Sequence, residues 1–313
     1  MTAVVGARRT TLTPAASTPQ RRDGSLTHPP RTGLLLTLPA VIFVVVFVIV
    51  PLLVAIYISL TNFPLIGDYH FIGLKNYLQV FTDPEFGWSL LYTLIYTAIV
   101  TFPILALGYF LAVLVRANRR GAKLLRTVFF LPFVVGLTTL SFLTLLEAQP
   151  NSGMINVVLK WLHITDGSTA WLVSGPLGTA LICVMVVWAV SGLTMMLLMS
   201  GMQGITSDIY ESAELDGATW WQTERHVTMP MLRRTIALSL IISVIGSFLA
   251  FTQFFILTQG GPGISTTTVV MGIYKRAFVQ LQLGAATAMS LVLVVIIGLI
   301  TAAQFWLLRE RED

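Results

Sequence analysis

Apolar and polar residues are sorted along this chain into long blocks rather than alternating positions. Six blocks are almost wholly apolar, at 34–60, 88–115, 127–146, 177–199, 235–257 and 283–308. Each reaches the roughly 20 residues that a helix needs to cross a bilayer. A strand-built barrel would alternate lipid-facing and lumen-facing residues over segments of about 10, and runs such as VIFVVVFVIV at 41–50 do not. The pattern predicts an all-α integral membrane protein with six transmembrane helices. Residues 1–32, rich in Thr, Pro, Ser and Arg, cannot bury enough surface to offset ordering entropy and read as a disordered tail. The remainder, 33–313, reads as one helical domain. The apolar stretch after Gly33 is far longer than the 7–15 residues of a signal-peptide core, so the first span reads as uncleaved. Pro39, Pro51, Pro103 and Pro132 fall in or near spans, where they are expected to kink helices.

Composition agrees with the pattern. Hydrophobic residues make up 55% of the 313 and charged residues 11%, against about 25% charged in soluble domains. Of the 19 Lys and Arg, all but Lys75, Lys160, Lys275 and Arg276 lie in the leading tail, the second and fourth connections or the last few residues. By the positive-inside rule this predicts cytoplasmic termini, and it puts the fourth connection, 200–234, in the cytoplasm as well. Cys183 is the single cysteine, so no intrachain disulfide forms and no zinc-ligand spacing exists. His28, His70, His163 and His226 are scattered. Glu147 and Asp166 sit at or beyond the outer end of the third span, and no span centre holds a carboxylate. That weighs against the alternative class, an ion-coupled secondary transporter, which usually needs an ionisable group at mid-depth.

The fourth connection carries the one long polar run between apolar blocks, YESAELDGATWWQTERHVTMP. Asp208 and Glu211 have capping-box spacing, as do Thr219 and Gln222. Gly217 supplies the positive φ that ends a helix at low cost, and Pro230 limits the second helix. The expected form is helix, tight turn, helix. Trp220, Trp221 and Val227 form an apolar strip in a loop that must meet water, while Glu211, Glu214, Asp216 and Glu224 would be repelled by anionic lipid. A protein partner suits that surface better than a membrane does.

Glu211-Ser212-Ala213, three residues, Gly217, nine residues, then Val227-Thr228-Met229-Pro230 resembles the EAA loop of bacterial ABC importer permeases, which reads E-A-A, three residues, G, nine residues, I-x-L-P. Three further stretches, GLKNYLQVFTDPEF, LLRTVFFLPFVV and LTQGGPGISTTTVVMGIYKRAF, resemble the carbohydrate branch, the maltose-type and glycerol-3-phosphate-type permeases. Two positions depart from that pattern. Ser212 replaces the second Ala, and Glu224 stands where relatives often carry an apolar aromatic, so the second half of the docking helix is expected to pack differently.

The resemblance implies a type I ABC importer permease fold with six spans. It implies a coupling loop that docks on a separate ATPase through Glu211, Ser212, Ala213, Asp216, Gly217, Trp221, Val227 and Pro230. The chain has no G-x-x-x-x-G-K-[ST], so ATP and Mg are expected on two copies of a partner ATP-binding subunit. A second homologous permease subunit and an extracytoplasmic solute-binding protein or lipoprotein complete the implied assembly. The implied solute is a sugar, oligosaccharide, polyol or glycerophospho-compound. For its pathway the resemblance points to the small, partly polar stripe Ser243, Gly246, Ser247 and Ala250, with Gln253 and Trp188 as further candidates. Gly260, Gly261 and Pro262 have the turn chemistry of a tight re-entrant or lid-like outer loop.

Overall fold

The computed structural model describes residues 30–64, 67–116 and 121–308. The tail expected over 1–32 lies, as far as residue 29, outside the described residues; Pro30 already belongs to a helix. Regular structure is helical apart from two isolated bridges, Thr61 with Phe71 and Pro64 with Gln282. In chain order the helices are α1 Pro30–Val44, α2 Val50–Ser59, α3 Lys75–Thr82, α4 Pro84–Arg116, α5 Ala122–Val135, α6 Leu137–Glu147, α7 Met154–Trp161, α8 Gly175–Gln203, α9 Ser207–Leu215, α10 Trp220–Thr223, α11 Met229–Met231, α12 Arg233–Phe248, α13 Thr252–Leu257, α14 Val269–Tyr274 and α15 Leu283–Leu308.

The chain divides into two compact units, one ending at Leu52 and the other beginning at Leu53. In the first, α1 continues into a π turn, Val45–Ile49. The cause is local. Pro51 has no N–H, and its ring crowds the carbonyl four residues back. The helix takes up an extra residue, and Val50 N–H bonds the Val45 carbonyl five positions back.

In the second unit α4 and α8 are the central pair, and α5, α12, α13 and α14 pack around them. Gly residues set the approach. A Cβ on Gly108 of α4 would stand 2.5 Å from Thr194 Cγ2 of α8, and one on Gly192 of α8 would stand 2.2 Å from the Phe129 carbonyl oxygen of α5. Small residues at such crossings let helices meet at backbone distance, where dispersion replaces the hydrophobic drive that lipid cannot supply. Tyr96, Ile104, Ile182 and Phe254 fill one core between α4, α8 and α13. Phe248, Val269, Met289 and Val292 fill a second against α15, and Leu111, Val115, Met195 and Leu232 a third at the far end of α4.

Among the described residues five helical stretches are long and apolar enough to cross a membrane: Leu35–Ser59, Pro84–Arg116, Gly175–Gln203, Arg233–Leu257 and Leu283–Leu308. The predicted third span, 127–146, is not one straight helix. It comprises α5 and α6, which meet at 92°. The hinge is Gly136, at φ 86° and ψ 150°, a combination open essentially to glycine alone. The sharp bend is therefore set by Gly136 and not by the prolines, since α4 runs unbroken through Pro103.

Because the atom that meets Gly192 is a backbone carbonyl, Gly192→Ala should overpack the α5–α8 crossing and destabilise the protein by about 1–3 kcal/mol. Gly298→Ala, where a Cβ meets nothing within 4 Å, should not destabilise it. Thermal midpoints of the two variants in detergent check this.

Candidate functional site

The polar run folds as the expected hairpin. Helix α9 closes with a Schellman motif: Ala218 N–H bonds the Ala213 carbonyl at 3.0 Å and Gly217 N–H the Glu214 carbonyl at 3.0 Å, with Gly217 at φ 75°. Thr219 and Gln222 form a capping box that starts α10, Thr219 N–H donating to Gln222 Oε1 at 2.7 Å. The other capping box does not form. Helix α9 starts one residue earlier, at Ser207, behind Thr206, which makes no side-chain cap bond. The carboxylate of Asp208 lies in the first turn instead, where the helix dipole favours it.

Pro230 does not end the second arm. It lies inside a continuous helical run from Trp220 to Met231, where its missing N–H interrupts the i→i−4 ladder. A π turn, Glu224–Thr228, precedes it, with Met229 N–H bonded to the Glu224 carbonyl. This repeats the solution found ahead of Pro51.

Glu211, Ser212, Asp216, Gly217, Trp221 and Pro230 are exposed on the hairpin, while Ala213 and Val227 are half-buried. At the tip Leu215 is 89% exposed, Trp220 61% and Trp221 60%, the two indoles lying 6.2 Å apart. Glu224 does not share this surface. The π turn rotates it inward to 2% exposure. Its Oε2 accepts from Tyr109 Oη at 2.7 Å, and its Oε1 stands 3.1 Å from Arg116 Nη2 in an ion pair. The sequence gives one clue to these partners, the departure from an aromatic at 224.

A cavity of about 180 Å³ lies among α4, α8, α12 and Gln253 of α13. Ser243, Gly246, Ser247 and Gln253 line it, as do Tyr96, Thr194 and Ser239. Ala250 is packed in the core beside it. Trp188 stands apart on the outside of α8, 51% exposed. Ser239 is legible in retrospect, since it extends the Ser243 stripe by one helical turn. Some buried hydroxyls in these helices donate to the carbonyl four residues back, as Thr93, Ser141 and Ser191 do. Ser239 and Ser243 have no hydrogen-bond partner among the described residues, although they are 2% and 6% exposed. Gln253 Nε2 donates to Tyr96 Oη at 3.2 Å. No residue lining the cavity is charged.

The helix breaks between α12 and α13 at the wall of this cavity. The Ala250 carbonyl freed there accepts from Thr268 Oγ1 at 2.8 Å, and Val269 N–H donates to Thr93 Oγ1 at 3.0 Å. The same polar segment holds the loop of Gly260, Gly261 and Pro262. Thr266 Oγ1 bonds the Gly261 carbonyl at 2.8 Å, and Trp88 Nε1 donates to the Ile264 carbonyl at 3.0 Å. Gly260, at φ 84°, and Gly261, followed by Pro262, thus lie in a tight loop tied to the ends of α4 and α13.

Glu147 caps the start of α7, Met154 N–H donating to its Oε2 at 2.9 Å. Asp166 lies in the following loop, held below the usual carboxylate range by hydrogen bonds from the Ser168 backbone and hydroxyl. Among the described residues no three His, Cys, Asp or Glu converge as a metal site.

A helical bundle with an uncharged cavity that carries several hydroxyls on a mainly apolar wall, and with an exposed amphipathic hairpin, fits a membrane transport component. The chain belongs to the family of binding-protein-dependent transport system inner membrane components, which it matches over residues 104–312. It is 31% identical over 282 residues to a probable ABC transporter permease protein of Pyrococcus horikoshii, covering 89% of this chain and 96% of that one. It is 31% identical to the multiple sugar-binding transport system permease protein MsmF of Streptococcus mutans (86% and 92% covered) and 28% identical to the probable starch degradation products transport system permease protein AmyD of Thermoanaerobacterium thermosulfurigenes (88% and 92%). The fold is that of a bacterial ABC transporter involved in import of the acidic polysaccharide alginate, with TM-score 0.79 at 20% identity over 91% of this chain and 98% of that one. The protein is therefore a multi-pass inner-membrane permease subunit of an ABC importer, and the ion-coupled alternative is set aside.

Tyr96→Phe removes the acceptor of a buried amide and should cost about 1–3 kcal/mol. Adding Gln253→Leu should recover most of the loss, because both polar partners are then gone. A double-mutant cycle of thermal midpoints measures the difference.

Proposed function

We propose that this chain carries an uncharged sugar or oligosaccharide across the membrane as one half of a two-permease pathway. Its termini and hairpin face the cytoplasm, and the hairpin docks on a partner subunit that binds ATP and Mg. The observation that carries the solute class is the cavity wall. It offers the hydroxyls of Ser239, Ser243, Ser247, Thr194 and Tyr96 and the amide of Gln253, but no charge. A neutral polyhydroxylated solute can exchange water for such groups, whereas an anion would enter uncompensated. This disfavours glycerophospho-compounds as well as acidic polysaccharides. The starch-product and multiple-sugar names of two relatives support the same class.

The docking reading rests on the hairpin tip, where Leu215, Trp220 and Trp221 are presented beside Glu211 and Asp216. An exposed apolar cluster with aromatic anchors suits a protein partner. The bias of Lys and Arg toward this side supports a cytoplasmic hairpin.

In proteoliposomes holding the full transporter with its solute-binding protein, unlabelled neutral maltodextrins should compete with uptake of a radiolabelled neutral oligosaccharide, and uronate oligosaccharides should not. The reverse order would overturn the proposed solute class. In a Cys183→Ala background, Leu215→Cys should react with a membrane-impermeant maleimide only when the cytoplasmic face is open; labelling from outside would reverse the orientation.

A Cβ at position 217 meets no neighbour within 4 Å, but Gly217→Val is strained at φ 75° by about 1–2 kcal/mol. It should cut uptake at least tenfold while ATP hydrolysis persists. Normal uptake would count against the coupling role.

A further inference from the structure

Covalently, the hairpin is continuous only with α8, through Gly204–Thr206, and with α12, through Leu232. Helix α4 is far away in sequence, yet its last turns reach both arms of the hairpin. Arg116, the final residue of α4, pairs with Glu224 in the second arm at 3.1 Å. Its guanidinium also lies 4.8 Å from the Tyr210 ring centroid in the first arm, and its Nη1 donates to Tyr210 Oη at 3.1 Å. Tyr109, two turns earlier on α4, donates to the other Glu224 oxygen at 2.7 Å. We propose that Arg116, Glu224, Tyr109 and Tyr210 form a latch that makes the hairpin and the end of α4 move as one body, so that these four act as positioning residues for coupling.

The physical grounds are burial and charge. A carboxylate at 2% exposure is costly to keep without a cation, so the ion pair with Arg116 and the hydrogen bond from Tyr109 hold the hairpin against α4 while Glu224 stays buried. Arg116 sits where the α4 dipole already favours a positive charge, and it is less buried, at 30% side-chain exposure. The π turn is what aims Glu224 at α4, and it forms because Pro230 follows. Arg126 Nη2, from the start of α5, adds a bond to the Val115 carbonyl at 2.9 Å, fixing the last turn of α4 from its other side. A displacement of the hairpin is thereby transmitted to α4, which lines the cavity through Tyr96 and Ile104, as well as to α12, which lines it through Ser239 and Ser243.

This inference rests on the reading of the hairpin as the ATPase-docking element, and the test separates the two. In the reconstituted full transporter, uptake per ATP hydrolysed is measured for Arg116→Met, Glu224→Gln, Tyr109→Phe and Arg116→Lys, each alongside crosslinking from Leu215→Cys to the ATPase in a Cys183→Ala background. Arg116→Met and Glu224→Gln should lower uptake per ATP at least fivefold with the crosslink and hydrolysis retained. Tyr109→Phe, which deletes one hydroxyl, should lower it about twofold, and Arg116→Lys should retain more than half. If the transporter with Arg116 and Glu224 intact gives no crosslink, the docking reading fails. If the crosslink persists and Arg116→Met, Glu224→Gln and Tyr109→Phe all leave uptake per ATP unchanged, the latch is overturned. If they only reduce the amount of assembled transporter, with uptake per ATP unchanged in what remains, the latch is likewise overturned.

Discussion

Lipid offers no hydrogen-bond partner, so every backbone group or charge freed inside a spanning bundle must be answered from within the protein. Much of this structure follows from that constraint. Pro51 and Pro230 each disturb a carbonyl ladder, and in both places a π turn restores it with a bond five residues back. The break before Thr252 frees the Ala250 carbonyl, and the Thr268 hydroxyl reaches in and donates to it. Thr93, Ser141 and Ser191 donate back into their own helices. Among the described residues the hydroxyls of Ser239 and Ser243, which line the cavity, have no protein partner, and neither do those of Thr97 and Thr101 on α4.

The hairpin and the cavity share one helix. From Arg233 to Ser243, α12 rises about 15 Å at 1.5 Å per residue, so the cavity lies a few turns from the hairpin along a rigid rod. Opposite it, α4 bears Tyr96 at the cavity and Tyr109 and Arg116 at the hairpin. On the proposed reading, a motion imposed at the hairpin reaches two walls of the solute path through two rods at once. Close crossings at Gly108 and Gly192 hold α4 and α5 against α8, which leaves α8 as the frame for movement.

The end of the bundle away from the hairpin is organised differently. There the helices give way to short elements and turns, and polar side chains carry the order: Thr266 donates to Thr258 and to the Gly261 carbonyl, Thr267 to the Gly260 carbonyl and Thr268 to the Ala250 carbonyl. Arg276 and Asp83 join this region to the start of α4 as an ion pair. Such a loop is defined by side-chain bonds rather than by an apolar core, as suits a surface in contact with water.

The sequence alone determined what depends on neighbours along the chain. Apolar run length located five of the spans, and the spacing of Glu211, Gly217 and Pro230 located the hairpin. Gly217 and the Thr219–Gln222 box fixed its turn, because capping and φ preferences act within a few residues. Tertiary structure decided the rest. The 92° bend at Gly136 was hidden within an unbroken apolar run, since an apolar count carries no direction. The stripe at Ser243 was visible, yet Ala250 and Trp188 fell outside the cavity, because lining depends on which helices close around it. Glu224 read as an exposed acid among other acids, and its burial was decided by a tyrosine 115 residues away and by an arginine legible only as a topology signal. Charge pairing across that separation leaves no periodicity in a sequence; it exists only once the helices have packed.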